Sequence, residues 1–268
     1  MIPSTQFRSF LFAAALVAAP SIDAQQPKDG TAVLERMRAA YAGKWYHTLT
    51  FVQKTTVTRP DSTKNVTKTV STWYESMRHT SAGVQLRIDR GDPAEGNGVL
   101  YTADSSWRFR DGKLIAASAD GNDFLPLIEG VYVQPIERTV REVKKMNVDL
   151  SKVRAGRWRD RDVWIVGATA ASDTTSPQFW VDQQRNVVVR AVVNMSPTSL
   201  LDILLDGYVT VGPAMLATKI VMSTGGKVIQ EEEYSDWKTD IDLPASLFDI
   251  TNWKTGTHWA KQAGSAKP

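Results

Sequence analysis

Residues 45–58 read WYHTLTFVQKTTVT, and the reading of the fold turns on them. Just upstream, TAVLERMRAAYAGKW (31–45) places Val33, Leu34, Met37, Ala40 and Tyr41 at helical spacing, which gives a helix one apolar face. Thr31 can cap its start and Gly43 can end it, so a helix is predicted over 31–42. From Trp45 onward the period drops to two. Trp45, Leu49, Phe51 and Val57 fall on one side, with Thr48, Thr50, Lys54 and Thr56 opposite. β-Branched and aromatic residues dominate, as a half-buried strand requires.

The same alternation continues downstream. NVTKTVSTWYESM (65–77) follows the turn RPDST, and VQLRID sets Val84, Leu86 and Ile88 against Gln85, Arg87 and Asp89. VLYTADSSWRFRDGKLIAAS (99–118) holds two or three strands around the Asp-Gly hairpin signal RDGK. Strand character stops at 121. GNDFLPLIEGVYV is apolar nearly all round, and QPIERTVREVKKMNV puts Ile136, Val140 and Val143 on one face, with Pro135 suited to a first helical position. Six more strands are predicted after 150: GRWRD, DVWIVGATA, QFWVDQQRNVVVRAVVN (with a hairpin turn at DQQRN), LLDILLDGYVTV, AMLATKIVMST and KVIQEEEYSDW. Short turns imply antiparallel neighbours, and the alternation implies one buried face and one wet face. The last strand should end near Thr239, because Pro244 bars regular pairing. Leu247 or Phe248 then pins the following link.

Composition narrows the function. MIPSTQFRSFLFAAALVAAPSIDA (1–24) has Arg8, an apolar run over 10–19 and small residues up to Ala24, the layout of a cleaved secretory signal. Residues 25–268 are then expected to form a single soluble domain without a membrane-spanning segment, exported to the periplasm or beyond, with 254–268 a flexible tail. There is no cysteine, so no disulfide supports the fold. The net charge of +3 is mild and scattered, which argues against a nucleic-acid partner. RAGRWRDRD (154–162) reads as a solvated hairpin.

Catalytic patterns are sparse. The three histidines, His47, His79 and His258, form no paired ligand spacing. His47 falls on the apolar phase of its strand, where a half-buried imidazole is expected; His79 and His258 read as turn or tail residues. No nucleophile elbow and no phosphate-cradling loop is present. Asp89, Asp92 and Glu95 in DRGDPAEGNG lack the alternating ligands of a calcium loop. Glu231, Glu232 and Glu233 alternate across a strand and read as edge protection. No catalytic residue, cofactor or metal is therefore expected, and the chain reads as a non-enzyme. A hydrolase using His47 or the acidic loop is the rival. What remains is apolar surface, including nine tryptophans. A long antiparallel sheet with few helices must close on itself or keep a cavity.

Four stretches, in order, resemble the LolA/LolB-like superfamily of outer-membrane lipoprotein carriers. They are a helix leading into TFVQK (50–54), GVLYTADSSWRFRDGKL (98–114), FWVDQQRNVVVRAVV (179–193) and YSDWKTDIDLPASLFDI (234–250). The resemblance implies a mainly β, α+β fold. It consists of a strongly curved antiparallel sheet of about eleven strands forming an incomplete barrel, with the N-terminal helix and a mid-chain helical lid over the concave face. It further implies a periplasmic carrier or binding protein for lipoprotein acyl chains or another lipid, with inner- or outer-membrane proteins as partners. The superfamily also contains the sensor domain of an envelope-stress regulator, so a lipid-sensing regulatory or scaffold module is the alternative. The apolar strand phase and the lid then nominate cavity-lining residues. They are Leu49, Phe51, Trp73, Leu86, Ile88, Tyr101, Trp107, Phe109, Leu125, Leu127, Ile128, Trp180, Ile220 and Met222.

Overall fold

The computed structural model describes residues 26–61, 65–196, 198–254 and 258–260. The 1–24 leader and most of the C-terminal tail lie outside these residues. Helix α1 spans Gly30–Tyr41 and buries Val33, Leu34 and Met37. Asp29, rather than Thr31, caps it. The Asp29 carboxylate accepts the Ala32 N–H at 2.9 Å, so one of the free amides of the first turn has a partner.

Six antiparallel strands follow as a meander: β1 (Thr48–Asp61), β2 (Asn65–Thr80), β3 (Gly83–Arg90), β4 (Gly98–Tyr101), β5 (Ser106–Arg110) and β6 (Lys113–Ser118). The chain then forms a π-helical turn, Pro126–Gly130, continuing into α2 (Val131–Val133) and, after Pro135, α3 (Ile136–Lys145). Strands β7 (Val153–Trp158), β8 (Arg161–Val166), β9 (Gln178–Asp182), β10 (Val188–Ser196) and β11 (Ser199–Asp206) lead to a small hairpin, β12 (Val209–Val211) and β13 (Ala214–Leu216). Strands β14 (Lys219–Thr224) and β15 (Lys227–Thr239) complete the sheet.

The main sheet has thirteen strands in the order β6-β5-β4-β3-β2-β1-β15-β14-β11-β10-β9-β8-β7. It stays open between β6 and β7, an incomplete barrel. The first half of the chain runs outward from β1 and the second half runs back inward, so β15 pairs with β1 at the centre. The helices lie on the inner face. Their apolar residues join Leu49, Phe51, Leu86, Ile88, Trp164, Val166, Phe179 and Ile220 in one core.

Four sequence expectations change. Glu231–Glu233 do not protect an edge, because β15 is flanked by β1 and β14. Alternation instead sends Glu231 and Glu233 outward to Lys219 and Lys54, while Glu232 is buried on the inner face. Two predicted strands, 200–211 and 214–224, each break, and 207–218 folds away as the β12–β13 hairpin. Gly207 makes the break at φ +64, where an added Cβ would stand 2.2 Å from the Thr218 hydroxyl. The strand count exceeds the eleven implied by the resemblance. Finally, the outer face is not uniformly wet. Residues 244–254 and 258–260 cover it over β3–β5, with Leu247, Phe248 and Trp253 packed on Leu100 and Phe109. Val163, Ile165, Ala168 and Val189 form a second outer cluster.

That outer C-terminal cover is held by a buried ion network. Arg87 donates Nε and Nη2 to the two oxygens of Asp89 at 2.7 and 2.8 Å. It also donates to the carbonyls of Leu247 and Trp253, each at 2.8 Å, and stacks on the Trp253 ring. The Ala260 N–H donates to His258 Nδ1, so the Nε2 that faces Asp89 at 3.0 Å carries the hydrogen. His258, expected in a loose tail, is 2 % exposed. Asp89, expected in an acidic loop, is fully buried by these partners.

Candidate functional site

A cavity of about 170 Å³ lies between the inner face and the helical lid. Its first wall comes from β1–β3, where strict alternation points Leu49, Phe51, Trp73, Leu86 and Ile88 inward. β14 adds Ile220 and Met222, and the lid adds Leu125 and Ile128. The far wall was not anticipated: Val188, Leu205, Tyr208 and the hairpin residues Met215 and Leu216. Its hairpin part exists because 207–218 leaves the sheet.

The other nominated residues lie elsewhere. Tyr101 packs at the margin of the inner core, and Leu127 is fully buried within it; neither borders the cavity. Trp107 and Phe109 face outward, under the C-terminal cover, where the Phe109 ring stacks on Trp253 at 4.1 Å. Trp180 also faces outward, edge-on to Trp158 and beneath Arg190. Strand period cannot separate two faces that are both covered, and here both are.

The cavity floor carries polar groups that hydropathy did not flag. Gln53, Glu75 and Glu232 are each nearly sealed from solvent, on neighbouring strands β1, β2 and β15. Glu232 is well served: Gln230 donates to Oε1 at 2.5 Å and the Tyr234 hydroxyl donates to Oε2. Glu75 Oε1 is buried without a hydrogen-bond partner among the described residues. Burial pushes the Glu75 carboxyl well above the ordinary glutamate range, and the Glu232 charge pushes the same way, against a weaker pull from Arg90. Burial also raises Glu232, although its hydrogen-bond donors oppose that. Phe51, Tyr234 and Trp237 form an aromatic cluster beside these acids.

The lid is fastened by a further buried carboxyl. Glu129, at the end of the π-helical turn, accepts from Trp45 Nε1 at 3.0 Å and from the Tyr46 hydroxyl at 2.5 Å. His79 Nε2 stands 3.6 Å away. Tyr132 of α2 stacks on Trp45 at 3.9 Å, and Tyr41 and Tyr132 donate to the carbonyls of Arg185 and Asn186 in the β9–β10 turn. At the other end, Arg38 of α1 donates to the Gln134 carbonyl, and Arg138 of α3 donates to that of Ala82. The lid thus touches both halves of the sheet.

The candidates for the rival chemistry do not converge. His47 precedes β1 and is exposed, so the strand phase that predicted half-burial does not apply to it. His79 is buried under the lid rather than in a turn. Asp92 caps the short Pro93–Glu95 turn through the Ala94 N–H. Among the described residues, no group of three or more histidine and acidic side chains is placed to hold a metal ion.

No family model and no curated protein matches this sequence. Solved structures do match. A domain from Vibrio parahaemolyticus assigned as an outer membrane lipoprotein-sorting protein has a TM-score of 0.57 at 12 % identity, covering 84 % of this chain and 98 % of its own. A DUF1329 family protein from Desulfovibrio piger gives 0.55 at 11 % identity, with 84 % and 97 % covered. A LolA superfamily protein from Nitrosomonas europaea gives 0.49 at 16 % identity, with 82 % and 97 % covered. Among the described residues, no helix is long and apolar enough to cross a membrane. The likenesses extend over most of the chain, and its fold is that of the lipoprotein-sorting and DUF1329 domains.

Proposed function

We propose that the protein is a periplasmic, non-enzymatic carrier or binding protein for lipoprotein acyl chains or another lipid, held under the helical lid. The observation that carries this reading is a mostly apolar cavity on the inner face, covered by a segment that is fastened at a few points. Each methylene taken from water contributes about 0.8 kcal/mol, so an acyl chain needs no specific polar contact to bind. A cavity near 170 Å³ is close to the size of an engineered apolar cavity that holds one benzene. A long chain therefore requires the lid to move, and exchange is governed by the Glu129 fastening. The candidate lining residues keep their proposed role: Leu49, Phe51, Trp73, Leu86 and Ile88 on β1–β3, Leu125 and Ile128 on the lid, and Ile220 and Met222 on β14. The leader at 1–24 would deliver the chain across the inner membrane.

Native mass spectrometry of protein purified from its own envelope tests this. Co-purified lipid is expected. Apo protein alone, with no uptake of a neutral apolar fluorophore in titration, rejects the reading.

A further inference from the structure

Glu75 and Glu232 are an unusual floor for an apolar cavity. Both are buried, both border the cavity, and Glu232 stands close enough for its charge to act on Glu75. Their situations differ. Glu232 already accepts two hydrogen bonds, from Gln230 and Tyr234. Among the described residues Glu75 Oε1 has no partner, and a buried polar atom left in that state is costly. A ligand that brings a donor to this point removes the cost.

We propose that the Glu75–Glu232 pair makes the cavity selective for amphiphiles whose polar end is a hydrogen-bond donor without negative charge, an amine above all. The inference rests on the cavity being a lipid site and adds which lipids it takes. The apolar walls accept the chain, whatever its head. The floor then discriminates. An amine entering the site leaves an ammonium hydrogen-bonded to the Glu75 carboxylate, because any proton held by Glu75 passes to the amine nitrogen. A hydroxyl donates one hydrogen bond to the same oxygen and brings no charge. A carboxylate or phosphate head instead meets two buried carboxyls and enters only after taking up a proton. The raised range of Glu75, caused by burial and by Glu232, fits a position that is short of positive charge.

The test uses three probes with one chain length: dodecylamine, dodecanol and dodecanoate. Each is titrated below its micellar concentration against the full-length protein at pH 7.4, displacing a neutral fluorophore. The amine is expected to bind at least about 10-fold more tightly than the carboxylate, a difference of about 1.4 kcal/mol, with the alcohol between them. In Glu75→Gln the amine-to-carboxylate ratio should fall to within about 2-fold. Should that variant misfold by circular dichroism, Glu232→Gln replaces it, and the wild-type ratio decides by itself. A wild-type carboxylate that binds as well as the amine, or a ratio untouched by the substitutions, overturns the selectivity while leaving the lipid cavity standing. Failure of all three probes and of the fluorophore to bind overturns the cavity reading and this inference with it.

Discussion

Single side chains set opposite pH dependences on the two faces of the sheet. On the outer face, burial alone would raise the Asp89 carboxyl, but the donors Arg87 and His258 outweigh it and hold it below the ordinary range. A depressed native value stabilises the fold above about pH 4 and stops doing so as pH falls through that value. Asp89→Asn leaves Arg87 buried and short of its charge partner, so a loss of about 3–5 kcal/mol is expected in urea melts at pH 7. A loss under 1 kcal/mol would show that the network is not bearing the C-terminal cover. On the inner face the sign reverses. The raised Glu75 and Glu232 cost stability while ionised, so stability should rise as pH falls through their raised values towards about 4.3. Glu75→Gln should flatten that rise and raise stability at pH 8, read from melting curves across pH. An unchanged slope would mean that Glu75 does not titrate in this window.

At the scale of elements, the lid is held by the Glu129 carboxyl, which accepts from Trp45 and Tyr46. Tyr46→Phe removes the shorter of the two hydrogen bonds to Glu129 and leaves a buried carboxyl oxygen underserved, worth about 1–3 kcal/mol. Amides of 127–133 should then exchange at least 10-fold faster by hydrogen-exchange mass spectrometry, while those of β1 and β15 keep their protection. Equal acceleration in the sheet would place the effect in global stability rather than in the lid. The elements themselves were largely legible in the sequence. The change of period at Trp45, the RDGK hairpin and the Pro244 stop all have local causes, and α1, β5–β6 and the end of β15 follow them. Nine of the fourteen nominated residues border the cavity, because β1–β3 and β14 each show a clean phase. Trp107, Phe109 and Trp180 went to the other face because the covering partners come from distant chain, Trp253 above all. The acids are hard to place from sequence because charge ordinarily means exposure. The available signal was phase: Glu75 shares that of Trp73 and Met77, and Glu232 that of Gln230 and Tyr234. The hairpin wall could not be read locally, since 200–224 alternates well enough to pass for two unbroken strands.

For the whole molecule, the decisive contact is the least local one. β1 pairs with β15, joining the two ends of the chain, and the cavity sits across that seam, with walls from both halves and the lid above. Such long-range pairing predicts slow folding, in milliseconds to seconds, and it makes the ligand a brace between halves that separate on unfolding. A molecule bound in the cavity stabilises the native state alone, by about 2.7 kcal/mol at 100 times its dissociation constant. For a chain of this size, each kcal/mol moves the melting temperature by about 2–4 °C, so dodecylamine near that excess should raise Tm by about 5–10 °C. Dodecanoate at the same concentration should raise it by less. The shift should also grow with the logarithm of ligand concentration, as mass action requires. A shift that saturates at one equivalent per several proteins, or none at all in calorimetry, would mean that the seam is braced by protein contacts alone.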